Sequence, residues 1–246
     1  MTGNIGCANV LGWHAVFRYK GPSFQGLFYS RILYRRYNRK VPVNKTHIIL
    51  GNRIVLQRTY AIALLATLSI SMSGWQTIAP VFEELLALIG WVFVGIGVMG
   101  RIWSGSYISG SKNAKLVVDG PYSICRNPLY LFSLLAGFGV MLVSETLILP
   151  IQFAALFWIY YTQLMAREEA VLLTLHGAEF EAYCARVPRF WPKFSLYSEP
   201  AEYVVSATRF RKNMADAIWF VIGAALIDFL EAMHEIGYLP TIMHIF

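Results

Sequence analysis

Three groups of residues have types and spacing that could do chemistry. Arg126 and Asn127 stand directly before Pro128, which opens a hydrophobic segment. Asn is a good helix N-cap and Pro fits the first helical position, so 126–128 reads as a helix start. A helix N-terminus with an adjacent arginine is a ready anion site. Just upstream, Gly120-Pro121 is a turn pair that presents Tyr122 and Val117 at the same boundary. The third group is Glu168-Glu169, which follows Arg167 at the end of another hydrophobic segment. Carboxylates at a membrane boundary are costly unless they are paired or useful. The plain alternative is a capped loop and a glutamate that simply ends a span.

The elements that must position these groups are membrane helices. The chain has 246 residues, of which 57% are hydrophobic and only 14% charged. Its mean hydropathy is +0.50. A soluble domain has about a quarter of its residues charged, so the expected class is all-α, a polytopic membrane bundle with interfacial amphipathic segments. Five crossings are expected, at 59–75, 81–103, 128–143, 146–165 and 215–229. Several are shorter than the ~20 residues of a square crossing. Three regions follow: a basic, aromatic arm over 1–53, a membrane core over 54–197, and a linker with one more hydrophobic helix over 198–246. After Gly177, Phe180, Tyr183 and Val187 recur three and four apart, which predicts an amphipathic helix ending at Pro188. Cys7, Cys125 and Cys184 are scattered without CxxC spacing, so no disulfide framework and no zinc site is expected. The first 30 residues lack an apolar core followed by a small-residue cleavage site, so no cleaved signal peptide is expected.

Charge sets the orientation. The net charge is +7, and the 21 Lys and Arg residues fall in three blocks: before Ala61, between Arg101 and Arg126, and between Arg167 and Lys212. The connections that would lie on the other side carry none. By the positive-inside rule the N-terminus and both chemical stretches face the cytoplasm, where a soluble cofactor can reach them. Basic residues beside spans serve orientation and anionic lipid contact, so nucleic acid is not an expected partner.

LVVDGPYSICRNPLYL, residues 116–131, resembles the G-x-Y-x-x-x-R-H-P-x-Y signature of isoprenylcysteine carboxyl methyltransferases and related phospholipid methyltransferases. REEAVLLTLHGAEFEAYCARVPRFWP, residues 167–192, resembles their downstream E-E…G-x-x-[FY]-x-x-Y-x-x-x-V-P-R-x-x-P. Both occur in order, one helical hairpin apart, and the resemblance covers about 90–192. Gly95 and Gly97 resemble the G-x-G of the phospholipid methyltransferases. The resemblance implies an integral membrane methyltransferase using S-adenosyl-L-methionine on a lipid or prenylated acceptor, without a metal. It implies that Gly95, Gly97, Val117, Gly120, Pro121 and Tyr122 line the cofactor site. Arg126, Asn127 and Tyr130 would meet polar parts of the cofactor. Glu168 and Glu169 would supply acceptors or orient Arg126, so that Arg126, Glu168 and Glu169 are the candidate catalytic residues. Tyr183, Arg186, Val187, Pro188 and Arg189 would close the cytoplasmic side. A zwitterionic cofactor needs an anion site and an acceptor site, and the two motifs offer one of each.

Asn127 departs from the pattern, because the family usually has His there. An amide can hold a carboxylate by hydrogen bonding but does not titrate near pH 7. A carboxylate acceptor needs no base, whereas a phospholipid amine does. Two other classes fit parts of the chain: a membrane NADPH-dependent sterol-type reductase, suggested by Tyr183-Cys184, and a non-catalytic relative. Near the C-terminus, Asp228, Glu231 and Glu235 share one helix face beside His234, with Asp216 at the other end of the same segment. Like charges on one face repel unless solvated, so this face is expected to lie in water beyond the membrane rather than to hold a metal. The charge asymmetry makes a direct prediction. In a chain otherwise free of reactive cysteine, Lys193→Cys should react with an impermeant maleimide only after the membrane is opened. His244→Cys should react in intact cells, and the reverse pattern would overturn the orientation.

Overall fold

The computed structural model describes residues 53–110 and 115–246, so the arm over 1–52 and the loop around Lys112 lie outside the described residues. The chain divides into two compact units at Ala66. The described part of the first unit is helical, within α1 (Arg53–Leu68), whose last two residues pass into the second unit. The second unit continues through β1 (Ser71–Ser73), α2 (Pro80–Gly110), α3 (Pro121–Ile124), α4 (Pro128–Leu142), α5 (Ile148–His176), α6 (Ala178–Arg186), a 3-10 turn at Phe194–Leu196, α7 (Ala207–Glu235) and β2 (Met243–Ile245). The protein is an all-α membrane bundle. Among the described residues, α2, α5 and α7 are long and apolar enough to cross a membrane, and α4 is a shorter apolar helix.

The three long helices overrun the expected crossings. At 31, 29 and 29 residues they are each about 45 Å long, against about 30 Å of hydrocarbon. Their ends project beyond the bilayer. Glu168 and Glu169 lie in the last third of α5, and α2 runs on past Trp103. The expected crossing over 59–75 is not formed as such. Its helix stops at Leu68, and Ser71–Ser73 becomes a strand pairing in parallel with Met243–Ile245. The reason is local: Ser69, Ser71 and Ser73 alternate with Ile70 and Met72, a period of two rather than 3.6. Ser71 Oγ also donates back to Thr67 O at 2.8 Å, ending the helix.

Helix α4 is the centre of the second unit and packs against α2, α5 and α7. It can lie close to α2 because Gly97 has no side chain. A Cβ there would sit 2.4 Å from the Ala136 backbone nitrogen. Small residues at such crossings let membrane helices approach.

The far end of the bundle holds a correction. The acidic face of α7 is divided: Asp228 and Glu235 are exposed as expected, but Glu231 is 8% exposed and His234 5%. Glu231 is within electrostatic reach of Glu83 on α2, itself 6% exposed, and of Glu145 in the α4–α5 turn. Glu145 sits at φ 58°, and its carbonyl accepts from Ser73 Oγ at 3.2 Å. The C-terminal Phe246 closes this end, its carbonyl accepting from Ile148 N at 3.1 Å and its ring lying edge-on to Trp75. Burial, then hydrogen bonding to and repulsion by Glu83, push the Glu145 carboxyl up to about 9. The folded protein therefore keeps a proton there that the unfolded chain releases near its ordinary value of 4.5. More protons bound in the folded state means stability falls as pH rises, here from about 4.5 to about 9. Melting of the detergent-solubilised protein should drop between pH 6 and pH 9, and Glu145→Gln should remove much of that drop. An unchanged slope in the variant would dissociate the effect from Glu145.

Candidate functional site

The site lies where the start of α4 meets the end of α5 and the face of α6. Gly120 begins the local fold. It takes φ 59°, places Pro121 at the first position of α3, and donates its N–H to Ser198 O at 2.7 Å. Its carbonyl accepts from Ser123 Oγ at 2.6 Å, and Ser123 Oγ in turn accepts from Ser198 N at 3.0 Å. Cys125 is extended and buried, and Arg126 N donates to Pro188 O at 2.9 Å. The two motifs are thus joined through backbone before any side chain is considered.

Asn127 and Pro128 take the N-cap and first helical positions expected of them. The Asn127 side chain, however, does not cap the helix. Its amide donates to Arg189 O at 3.0 Å and to Glu169 Oε1 at 3.4 Å. Glu169 is also held by Arg189, with Nε 3.1 Å from Oε2, and faces Arg126 Nη2 at 3.6 Å. One turn into α4, Tyr130 Oη donates to Glu168 Oε1 at 2.6 Å. Each of the paired glutamates therefore has its own set of partners, one mostly cationic and one phenolic.

A cleft of about 390 Å³, counting the space open to solvent, is bounded by this cluster. Val117, Tyr122, Arg126, Asn127, Glu168, Glu169 and Tyr183 line it, as do Leu116, Leu172 and Phe180. Its closed interior is about 20 Å³, room for about one water. The nucleophiles in and behind its wall are chemically quiet. Burial pushes the Cys125 thiol up to about 12, so it stays protonated at neutral pH. Burial likewise raises the Tyr122 and Tyr183 phenols, and Tyr183 Oη donates to Tyr122 O at 2.7 Å. The polar groups able to meet a ligand are the Arg126 guanidinium, the Asn127 amide, the two carboxylates and the unpartnered Tyr122 hydroxyl.

The sequence profile of the phospholipid methyltransferase family matches residues 81–179, which holds α2, α4, α5 and all of the cleft lining except Phe180 and Tyr183. The chain is 32% identical over 192 residues to the cobalt-zinc-cadmium resistance protein CzcN of Cupriavidus metallidurans, covering 78% of this chain and 88% of that one. It is also 32% identical over 190 residues to the nickel-cobalt-cadmium resistance protein NccN of Alcaligenes xylosoxydans xylosoxydans, covering 77% and 88%. The chain belongs to the phospholipid methyltransferase-like family of membrane methyltransferases. A shorter match, 31% over 88 residues, links it to the protein-S-isoprenylcysteine O-methyltransferase of Schizosaccharomyces pombe, covering 35% of this chain and 37% of that one. No solved structure matches it. Among the described residues, no group of three or more His, Cys, Asp and Glu is arranged to hold a metal ion.

Several residues that the methyltransferase resemblance points to lie off the cleft. Gly95 is exposed with nothing within 4 Å of an added Cβ, and Gly97 is spent on Ala136. Gly120 and Pro121 are buried behind the wall, and Val187 packs with Leu116, Phe180 and Tyr183. Arg186 is exposed. Tyr130, Pro188 and Arg189 act through Glu168, the Arg126 amide and Glu169. What the motifs do not reveal is the brace behind the turn. Tyr107 Oη donates to Glu199 Oε1 at 2.5 Å, and its ring stacks on Tyr203 at 4.1 Å. A Cβ at Gly120 would lie 2.3 Å from that ring. Tyr107 is pinned on both sides and cannot yield, and φ 59° already disfavours an L side chain. Gly120→Ala should therefore cost about 1–3 kcal/mol, read as a lowered melting temperature. A neutral effect would show that the turn is not braced in this way.

Proposed function

We propose that this chain is an integral membrane methyltransferase that uses S-adenosyl-L-methionine, works from the cytoplasmic face and acts on a lipid-like acceptor. The observation that carries the reading is the pairing of Glu169 with Arg126, Arg189 and Asn127 beside Glu168 held by Tyr130. This donor set fits a zwitterion attached to a nucleoside. Arg126 and the Asn127 amide would hold its carboxylate, and oxygens of Glu168 and Glu169 would accept from its ammonium or hydroxyls. Leu116, Val117, Leu172 and Phe180 form an apolar wall suited to a base. The small closed interior means that these walls separate when such a ligand enters.

When bound, the cofactor supplies an electrophilic methyl group on a sulfonium. The chain's own residues then decide which acceptor suits. Cys125 and the buried tyrosines hold their protons at neutral pH. Glu169 is engaged by two arginines and Glu168 by a phenol, so their oxygens are already committed to holding the site together. Asn127 cannot take a proton. This set favours an acceptor that arrives ionised, a carboxylate such as that of a prenylcysteine, over a phospholipid amine that must first lose a proton. The site's work is to align and to exclude water.

Purified protein titrated with S-adenosylhomocysteine and with NADPH tests the reading without a known acceptor. S-adenosylhomocysteine should bind, and NADPH should not. Arg126→Ala, Glu168→Ala and Glu169→Ala should each weaken binding roughly tenfold or more while leaving the fold intact, since a hydrogen bond to a charged group is worth about 1.5–3 kcal/mol. Unchanged affinity in all three variants sinks the assignment, and NADPH binding in its place would move the chain to the reductase class.

A further inference from the structure

Arg101 lies on α2 within the candidate membrane span. It is half-buried, and Nη1 donates to Ser133 Oγ. The guanidinium carbon sits 5.5 Å from the centre of the Phe220 ring on α7. Asn213 of α7 binds the Arg101 carbonyl at 3.1 Å, which fixes the backbone beneath it. Among the described residues no carboxylate lies within 4 Å of this guanidinium, and its buried Nε has no hydrogen-bond partner. A charge carried into a bilayer needs compensation, and a hydroxyl and a ring face provide only part of it.

Asp216 on α7 lies within electrostatic reach of Arg101 without forming an ion pair, and so does a second group with an unpartnered polar atom. Tyr122 is 3% exposed and lines the cleft, yet its Oη has no partner. Between the two elements, α4 presents Tyr130 and Ser133 three residues apart, on one face. Tyr130 binds Glu168 and Ser133 binds Arg101. Ser133 is five residues into α4, so Arg101 meets that helix about 8 Å past its start, on the bilayer side of the cleft. A donor pair at that depth faces a ligand that comes from the membrane rather than from water.

We propose that Arg101 and Tyr122 bind the anionic group of an amphiphilic acceptor that enters the site from the bilayer. This rests on the methyltransferase reading for the word acceptor, while the anion site stands on its own geometry. The shared chemistry is a carboxylate or phosphate on an alkyl chain. Arg101 lies outside the Arg126–Glu169 cluster and off the cleft lining, so its loss should leave the cofactor in place.

The full chain in neutral detergent can be tested by scintillation proximity with radiolabelled dodecanoate. Saturable binding is expected, with methyl dodecanoate failing to compete. Arg101→Gln should weaken dodecanoate about tenfold or more, and Tyr122→Phe several-fold. Arg101→Lys should recover part of the loss. S-adenosylhomocysteine affinity should be unchanged in Arg101→Gln. Competition by dodecyl phosphate decides the source: stronger competition than unlabelled dodecanoate marks a phosphate head group, and weaker competition marks a carboxylate. Equal competition by the methyl ester, or unaltered dodecanoate affinity in both Arg101→Gln and Tyr122→Phe, overturns the proposal. Should Arg101→Gln fail to fold, Tyr122→Phe with the methyl ester comparison still decides it. Failure of S-adenosylhomocysteine to bind the unaltered chain would instead strike the methyltransferase reading and leave the anion arm standing.

Discussion

The carboxylate of Glu169 is what makes two distant motifs one site. It comes from the projecting end of α5, and its partners come from the start of α4 and from the exit after α6. Glu169, Arg126, Arg189 and Asn127 hold one another in place, and because the ion-paired side chains are only partly buried, removing one member loosens the set without unfolding the chain. The lengths of the helices serve this arrangement. Because α5 has 29 residues, it can cross the bilayer and still carry Glu168 and Glu169 in its last third. Because α4 has only 15, its first turn reaches the same level while its other end stops at the Glu145 turn.

Much of this was legible in the chain. The Arg126-Asn127-Pro128 helix start and the amphipathic stretch through Phe180 and Tyr183 depend on signals within one turn of sequence, and both formed where those signals placed them. Glu168 and Glu169 were legible for a different reason, since acidic residues ending an apolar run must lie at its exit. The failures share a cause as well. Hydropathy counts Ile70 and Met72 as apolar and cannot see that the serines between them turn the segment into a strand awaiting Met243–Ile245. Charge alone put Glu231 in water, but the structure buries it within reach of Glu83, a residue far away in sequence. The brace of Tyr107 and Glu199 behind Gly120 spans 92 residues and leaves no local trace. Pairings across such separations are set by tertiary packing, which periodicity does not encode.

The two ends of the bundle handle buried carboxyls in opposite ways. At the motif end, Glu169 is kept company by two arginines and an amide. Among the described residues at the other end, Glu145 faces Glu83 and Glu231 without a cation, and the compensation is a proton held on Glu145. A membrane helix can carry acids at either end, but only the arginine-rich end can bind a zwitterion without first changing its own protonation. That asymmetry follows the distribution of Lys and Arg along the chain, which gathers the cations at the motif end.

Asn127 brings these points to one atom. Where the family usually carries a histidine, this chain has an amide whose nitrogen spans the Arg189 carbonyl and the Glu169 carboxylate. An imidazole N–H could make one such bond and would titrate in the process. The amide offers two donors in a fixed plane and is the same at every pH of physiological interest. Losing the ring removes a candidate base but adds a second donor to the network that holds Glu169. If the acceptor arrives already ionised, as the pairing of Glu168 and Glu169 favours, the base is dispensable and the additional hydrogen bond is a net gain in order. The replacement is therefore consistent with a site whose task is positioning rather than proton transfer, and it ties the identity of one residue to the charge state of the molecule the site receives.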